Sequence, residues 1–186
     1  MIPLESFRMI RKIDLAVILA FAAVWSAIAY FAGIRETQLS FMISLFITNV
    51  FMVLIALLVR RVGAVTLFYL LCALPAAKIG IFGGIGWSSI LILGAAGIVF
   101  EAFFLLARIE IKSIPFDAVL GAAFSNASIP FTMMLLIGEK TKGIMPYVWN
   151  FALTAFIIGV AGAIIAFIAW YNVKSLKHII KFEYHA

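Results

Sequence analysis

The stretch "GIMPYVWNFALTAFIIGVAGAIIAFIAWYNV", residues 143–173, runs for thirty-one residues without an Asp, Glu, Lys or Arg. A helix crosses the lipid hydrocarbon with about 20 mostly apolar residues. This one is long enough to cross with tilt or to begin in the headgroup region. Five more charge-free runs precede it, at Leu15–Ile34, Leu39–Val59, Val62–Ala77, Ile79–Phe100 and Ala118–Gly138. The third is short, and Lys78 divides it from the fourth. The turn between them belongs near residues 80–86, where "GIFGGIG" supplies flexible backbone, so Lys78 ends the third helix.

These runs predict an all-α membrane protein, a six-transmembrane-helix bundle forming a single integral membrane domain over 1–186. The helices are expected at about 14–34, 39–59, 62–80, 85–107, 116–138 and 145–172. Composition agrees: 66% of the 186 residues are hydrophobic and 12% charged, against about 25% charged in soluble domains. Mean hydropathy is +1.21. The single Cys72 lies in an apolar run, which excludes a disulfide framework. The start, "MIPLESFRMIRKIDLAVILAFAAV", has the basic-then-apolar order of a signal peptide and is expected to be the first span.

The net charge of +6 would suggest nucleic acid in a soluble chain. Here the basic residues sit in short loops and report topology, with no nucleic-acid role expected. Arg8, Arg11, Lys12, Arg60, Arg61, Arg108, Lys112, Lys174, Lys177 and Lys181 fall on the side of the termini; Arg35, Lys78, Lys140 and Lys142 fall opposite. Lys and Arg accumulate in cytoplasmic loops, so both termini are expected in the cytoplasm of a multi-pass plasma-membrane protein. Trp87 and Trp149 fit an outer aromatic belt, Trp170 and Tyr171 an inner one.

Small residues recur at helical spacing. Ala16, Ala20, Ala23 and Ala27 form one stripe in helix 1; Ala155, Gly159, Gly162 and Ala166 form another in helix 6; Ala118, Ala122 and Ser125 form a shorter one in helix 5. Helices in lipid associate through such close approaches. Each stripe either packs inside the bundle or faces another protein, and helix 1 is the strongest candidate for the second role.

Polar residues at membrane depth are costly and mark function or a buried partner. Glu101 lies about 24 Å along helix 4 at 1.5 Å per residue, close to the cytoplasmic face, with Arg108 on the same face as a structural partner. Asn126 in "FSNASIPF", where Pro130 frees a backbone carbonyl, and Asn49 in helix 2 read as interhelical hydrogen-bonding groups or as ligand contacts. Lys78 is either a snorkelling lysine or a ligand contact.

The outer ends gather Gln38, Lys78, Trp87, Tyr147, Trp149 and Asn150. Amides, indoles and a cation suit a flat polar heterocycle, stacked and then held at its edge. Belt anchoring explains the aromatic residues equally well, but a belt does not call for Asn150. Trp149 and Asn150 point about 100° apart on a helix, so Asn150 is expected inside the pocket and Trp149 in the headgroups. No HExxH, CxxC or Walker A string is present, and the spans hold no Ser nucleophile with a nearby His. Neither catalysis, metal nor cofactor is expected.

Three segments resemble the substrate-binding S components of energy-coupling factor (ECF) vitamin transporters. They are "RKIDLAVILAFAAV" with its AxxxA at Ala16 and Ala20, "GGIGWSSILILGAAGIVFEAFF", and "PYVWNFALTAFIIGVAGAIIA". The resemblance implies a six-helix subunit that binds a small-molecule vitamin outside and works with a transmembrane coupling subunit and two cytoplasmic ATPases. It makes Ala16 and Ala20 coupling residues and Asn150 a ligand contact. Helix 4 is weakly similar to the branch assigned to thiamine or its pyrimidine precursor. From a different class comes the reading of a structural or ion-translocating subunit, with Glu101, Asp117, Lys78 and Asn126 as a polar relay.

Overall fold

Lipid offers backbone groups no hydrogen-bond partners, so apolar runs satisfy themselves as helices. The computed structural model describes residues 10–33, 38–59, 61–80, 86–107, 110–111, 114–137 and 145–173. Among these residues there are six helices: α1 Lys12–Gly33, α2 Gln38–Val59, α3 Ala64–Ile79, α4 Trp87–Ala107, α5 Phe116–Ile137 and α6 Met145–Val173. Their bounds lie within one or two residues of those read from the sequence. Between α4 and α5 two residue pairs, β1 Glu110–Ile111 and β2 Ile114–Pro115, run antiparallel with Glu110 opposite Pro115. Five helices are long and apolar enough to cross a membrane. The exception is α3, whose 16 residues reach about 24 Å at 1.5 Å per residue. Its neighbours cover one face of it, with Phe68, Tyr69, Cys72, Ala73 and Ala76 fully buried, while Leu70 and Leu74 stay exposed.

Contacts fix the helix directions. Along α1 and α2, Trp25 meets Thr48 while Phe21 meets Phe51, so the two run antiparallel. Phe131 with Trp149 and Phe124 with Phe156 show the same for α5 and α6. By contrast α2 and α6 run parallel, since Phe41 meets Phe151 and Asn49 meets Gly159. The packing order is a closed ring, α1–α2–α6–α5–α4–α3, with α2 also touching α3 and α5 across it. The start of α1 and the end of α6 therefore share one end of the bundle.

Polar side chains finish that end. Asp14 Oδ2 accepts the Arg11 N–H at 2.9 Å and pairs with Arg61 Nε at 2.7 Å, tying the first turn of α1 to the start of α3. At the opposite end Gly80 closes α3 at φ 74, a left-handed conformation that costs glycine little, and donates to the Ala76 carbonyl. Lys78 sits in the same last turn, where a cation suits the helix dipole.

The small-residue stripes part ways. In α6, Ala155, Gly159, Gly162 and Ala166 are buried, and a Cβ built on Gly159 would lie 2.7 Å from the Cα of Ala123. In α5, Ala118, Ala122 and Ser125 are buried as well. In α1 the inward line is Asp14, Ile18, Ala22, Trp25 and Ala29, and Ala16, Ala20, Ala23 and Ala27 are all exposed. Among the described residues, the α1 stripe is the one of the three that no other helix covers.

Candidate functional site in the bundle core

The residues expected at the outer mouth do not converge. Trp87 is 81% exposed in the first turn of α4, and Lys78 is exposed at the end of α3. Tyr147, Trp149 and Asn150 are exposed, Trp149 with its ring edge-on to Phe131 at 5.1 Å. Gln38 begins α2, and its side chain lies outside the described residues. The inward orientation expected for Asn150 is corrected by helix geometry. The buried line of α6 is Val148, Ala152, Ala155, Gly159, Ala163, Ala166 and Trp170. Asn150 stands two residues, about 200°, from both Val148 and Ala152, so it joins Leu153, Ile157 and Ile168 on the outward face. Its carbonyl accepts the Thr154 hydroxyl at 2.8 Å.

Glu101 reaches across to α3. Its Oε1 accepts the backbone N–H of Thr66 at 3.0 Å, in the first turn of α3; Arg108 lies outside the described residues. Asp117 accepts the Ala118 N–H at 2.8 Å in the first turn of α5. With these two at one end, Lys78 at the other and Asn126 between, the four groups of the relay reading are not gathered.

The polar groups that do come together lie inside. On α2, Thr48 accepts from Trp25 Nε1 and donates to the Ser44 carbonyl, both at 2.6 Å. On α5, Ser125 donates to the Ala96 carbonyl at 2.8 Å and shares a 3.1 Å hydrogen bond with the Tyr69 hydroxyl. With the Ser125 proton committed to Ala96, the tyrosine is the donor. Asn49 reaches from α2 to α6, its Nδ2 donating to the Gly159 carbonyl. A Cβ on Gly162 would lie 2.8 Å from that same Nδ2, so Gly162 makes room for the amide.

Two amides remain partly or wholly unpaired. Asn126 is completely buried and neither its Oδ1 nor its Nδ2 has a hydrogen-bond partner; Asn49, also completely buried, leaves its Oδ1 unpaired. Asn126 follows Ser125, which touches Met52 of α2, and Asn49 precedes Met52 by three residues. Through α6 the two amides are about 9 Å apart along the bundle at 1.5 Å per residue, because Asn49 packs on Gly162 while Ala123, three residues before Asn126, packs on Gly159. Asn126 also lies one turn from Ala122 and Ala123, which pack on Gly159. Pro130 compounds the deficit, because it has no N–H for the carbonyl of Asn126 four residues earlier.

The buried polar residues of this region are all neutral. Asp14 and Asp117, the only buried acids among the described residues, belong to the first turns of α1 and α5. Among the described residues no three His, Cys, Asp or Glu side chains converge as a metal would need. The site can thus donate and accept hydrogen bonds at membrane depth but presents no charge. In the sequence its mark was "FSNASIPF", a polar cluster ahead of a proline; what the sequence lacked was which of its side chains find partners.

Compared with models of protein families, with curated proteins and with solved structures, the chain finds no match, and the chemistry of the site rests on its own geometry.

Proposed function

We propose that this protein is a membrane binding subunit for a small vitamin-like molecule, working as the S component of an ECF-type uptake system in the plasma membrane. The observation that carries the reading is the unpaired, fully buried amide of Asn126. Leaving a buried donor or acceptor unsatisfied costs about 1–3 kcal/mol, a cost that a binding site recovers when its ligand arrives. The exposed alanine face of α1 supports the second half of the proposal, because a transmembrane coupling subunit needs a surface that lets helices approach closely. A surplus of Lys and Arg in the loops on the side of the termini favours the cytoplasm for that side, which suits a partner with cytoplasmic ATPases. On its own the subunit binds and does not hydrolyse.

Native mass spectrometry of the detergent-purified protein tests this directly. A retained small molecule, and ATP-dependent uptake once coupling subunit and ATPases are added to vesicles, are the expected results. Protein that carries nothing and takes up no member of a vitamin panel removes the proposal.

A further inference from the structure

We infer that the outer face of α3 and α4 binds one anionic phospholipid, at the end of the bundle away from the Asp14–Arg61 pair. Lys78 takes the lipid phosphate, the Trp87 indole meets its glycerol esters, and Leu70, Leu74 and Leu91 line its acyl chain. The Gly86 N–H donates to the Ala77 carbonyl at 3.0 Å. Lys78 follows Ala77 and Trp87 follows Gly86, so the two side chains start from neighbouring backbone on different helices. Both are exposed, Trp87 at 81%. The last turn of α3 does not need the ammonium to close it, because the N–H groups of Gly80 and Gly86 already satisfy the carbonyls of Ala76 and Ala77. Among the described residues no acid pairs with Lys78.

From this pair toward the middle of the membrane the two helices turn apolar side chains outward. Leu70, Leu74 and Lys78 are exposed at four-residue spacing and share one face of α3. Trp87 and Leu91 do the same on α4. The two rows adjoin, since a Cβ on Gly94, three residues after Leu91, would lie 3.4 Å from Leu70 Cδ2. From Lys78 to Leu70 the lane runs about 12 Å at 1.5 Å per residue, alongside the upper part of an acyl chain. A lysine stem stays in the hydrocarbon while its charge rises to the headgroup. An indole sits at the same boundary with its N–H free to donate to an ester carbonyl. With a cation and no described acid beside it, the pair favours a lipid of net negative charge. A zwitterionic lipid brings an ammonium of its own, which Lys78 repels.

The test takes the full chain, stripped of lipid in detergent and titrated with dioleoyl phosphatidylglycerol or dioleoyl phosphatidylcholine, and counts bound lipid by native mass spectrometry. Wild type is expected to hold the phosphatidylglycerol about fivefold more tightly, the effect of one lysine at an anionic surface. Lys78→Gln is expected to bring the two lipids within about twofold of each other, and Lys78→Arg to keep the preference. Trp87→Leu is expected to weaken both lipids. Lys12→Gln, exposed at the opposite end of the bundle, is the control for net charge and is expected to keep the preference. Wild-type protein without a preference overturns the site, as does a Lys78→Gln protein that retains one. An equal loss in Lys12→Gln overturns it too, because the lipid then answers to the charge of the whole protein. So does Trp87→Leu that binds both lipids as wild type does, or inorganic phosphate that displaces the bound phosphatidylglycerol, which would mark an anion site without a lipid. Lys78→Gln is expected to melt as wild type does in lipid-free detergent. Lower melting there means that the bundle itself holds the ammonium, and the site falls.

Discussion

A helix that starts from glycine has no side chain to close its own first turn, and α3 starts from Gly63 at φ 88 with no side-chain cap. Glu101 performs that task from α4, accepting the Thr66 N–H two residues into α3. A carboxylate at a helix N-terminus satisfies a free donor and complements the dipole. Glu101→Ala is expected to cost about 1 kcal/mol, the usual loss for a helix cap, and Glu101→Gln to retain part of it through its amide oxygen. Thermal melting of the purified protein reads both; unchanged melting in the alanine variant contradicts the capping role. Asn150 makes the opposite case. Its side chain lies on the exposed face of α6, so Asn150→Ala should leave ligand affinity within about twofold of wild type, below the loss of a single net hydrogen bond. A tenfold loss would return the ligand to the outer mouth.

At the scale of the element, α1 and α6 carry nearly the same small-residue spacing and use it differently. The stripe of α6 brings backbones together: a Cβ on Gly159 would sit 2.7 Å from Ala123 Cα and 2.8 Å from the Ala122 carbonyl oxygen. Those are main-chain atoms and yield only if α5 and α6 separate. Gly159→Ala is therefore expected to destabilise by about 1–3 kcal/mol, the range for overpacking, measured by unfolding in mixed detergent. The stripe of α1 is exposed, and no other helix among the described residues covers it. Ala20→Trp should fold and bind ligand as wild type does when isolated, and should lose assembly with a coupling subunit. An isolated variant that fails to fold would mean that the stripe is covered. The difference between these stripes was not legible in sequence, because lipid is as apolar as the bundle interior. The spacing of small residues shows that a close approach is possible, and not to what.

For the whole molecule, the ring of helices brings the start of α1 and the end of α6 to one face, with the Asp14–Arg61 pair linking α1 and α3 there. Which side of the membrane that face occupies is a matter of loop charge, a surplus of Lys and Arg favouring the cytoplasm. Cysteine substituted at Lys177 should be reached by membrane-impermeant reagent only from the cytoplasmic side, and cysteine at Lys140 only from outside. The reverse pattern would invert the proposed direction of capture. Chain length, the six apolar runs and the helix bounds were determined by the sequence alone, because span length and backbone satisfaction in lipid depend on local composition. The face each helix turns inward was decided only by tertiary structure. In a soluble helix an apolar stripe marks the core, but here both faces of Asn150's helix are apolar. Neighbours alone determine that Asn49 finds the Gly159 carbonyl, that Glu101 closes α3, and that the amide of Asn126, equally polar and equally deep, is left unpaired.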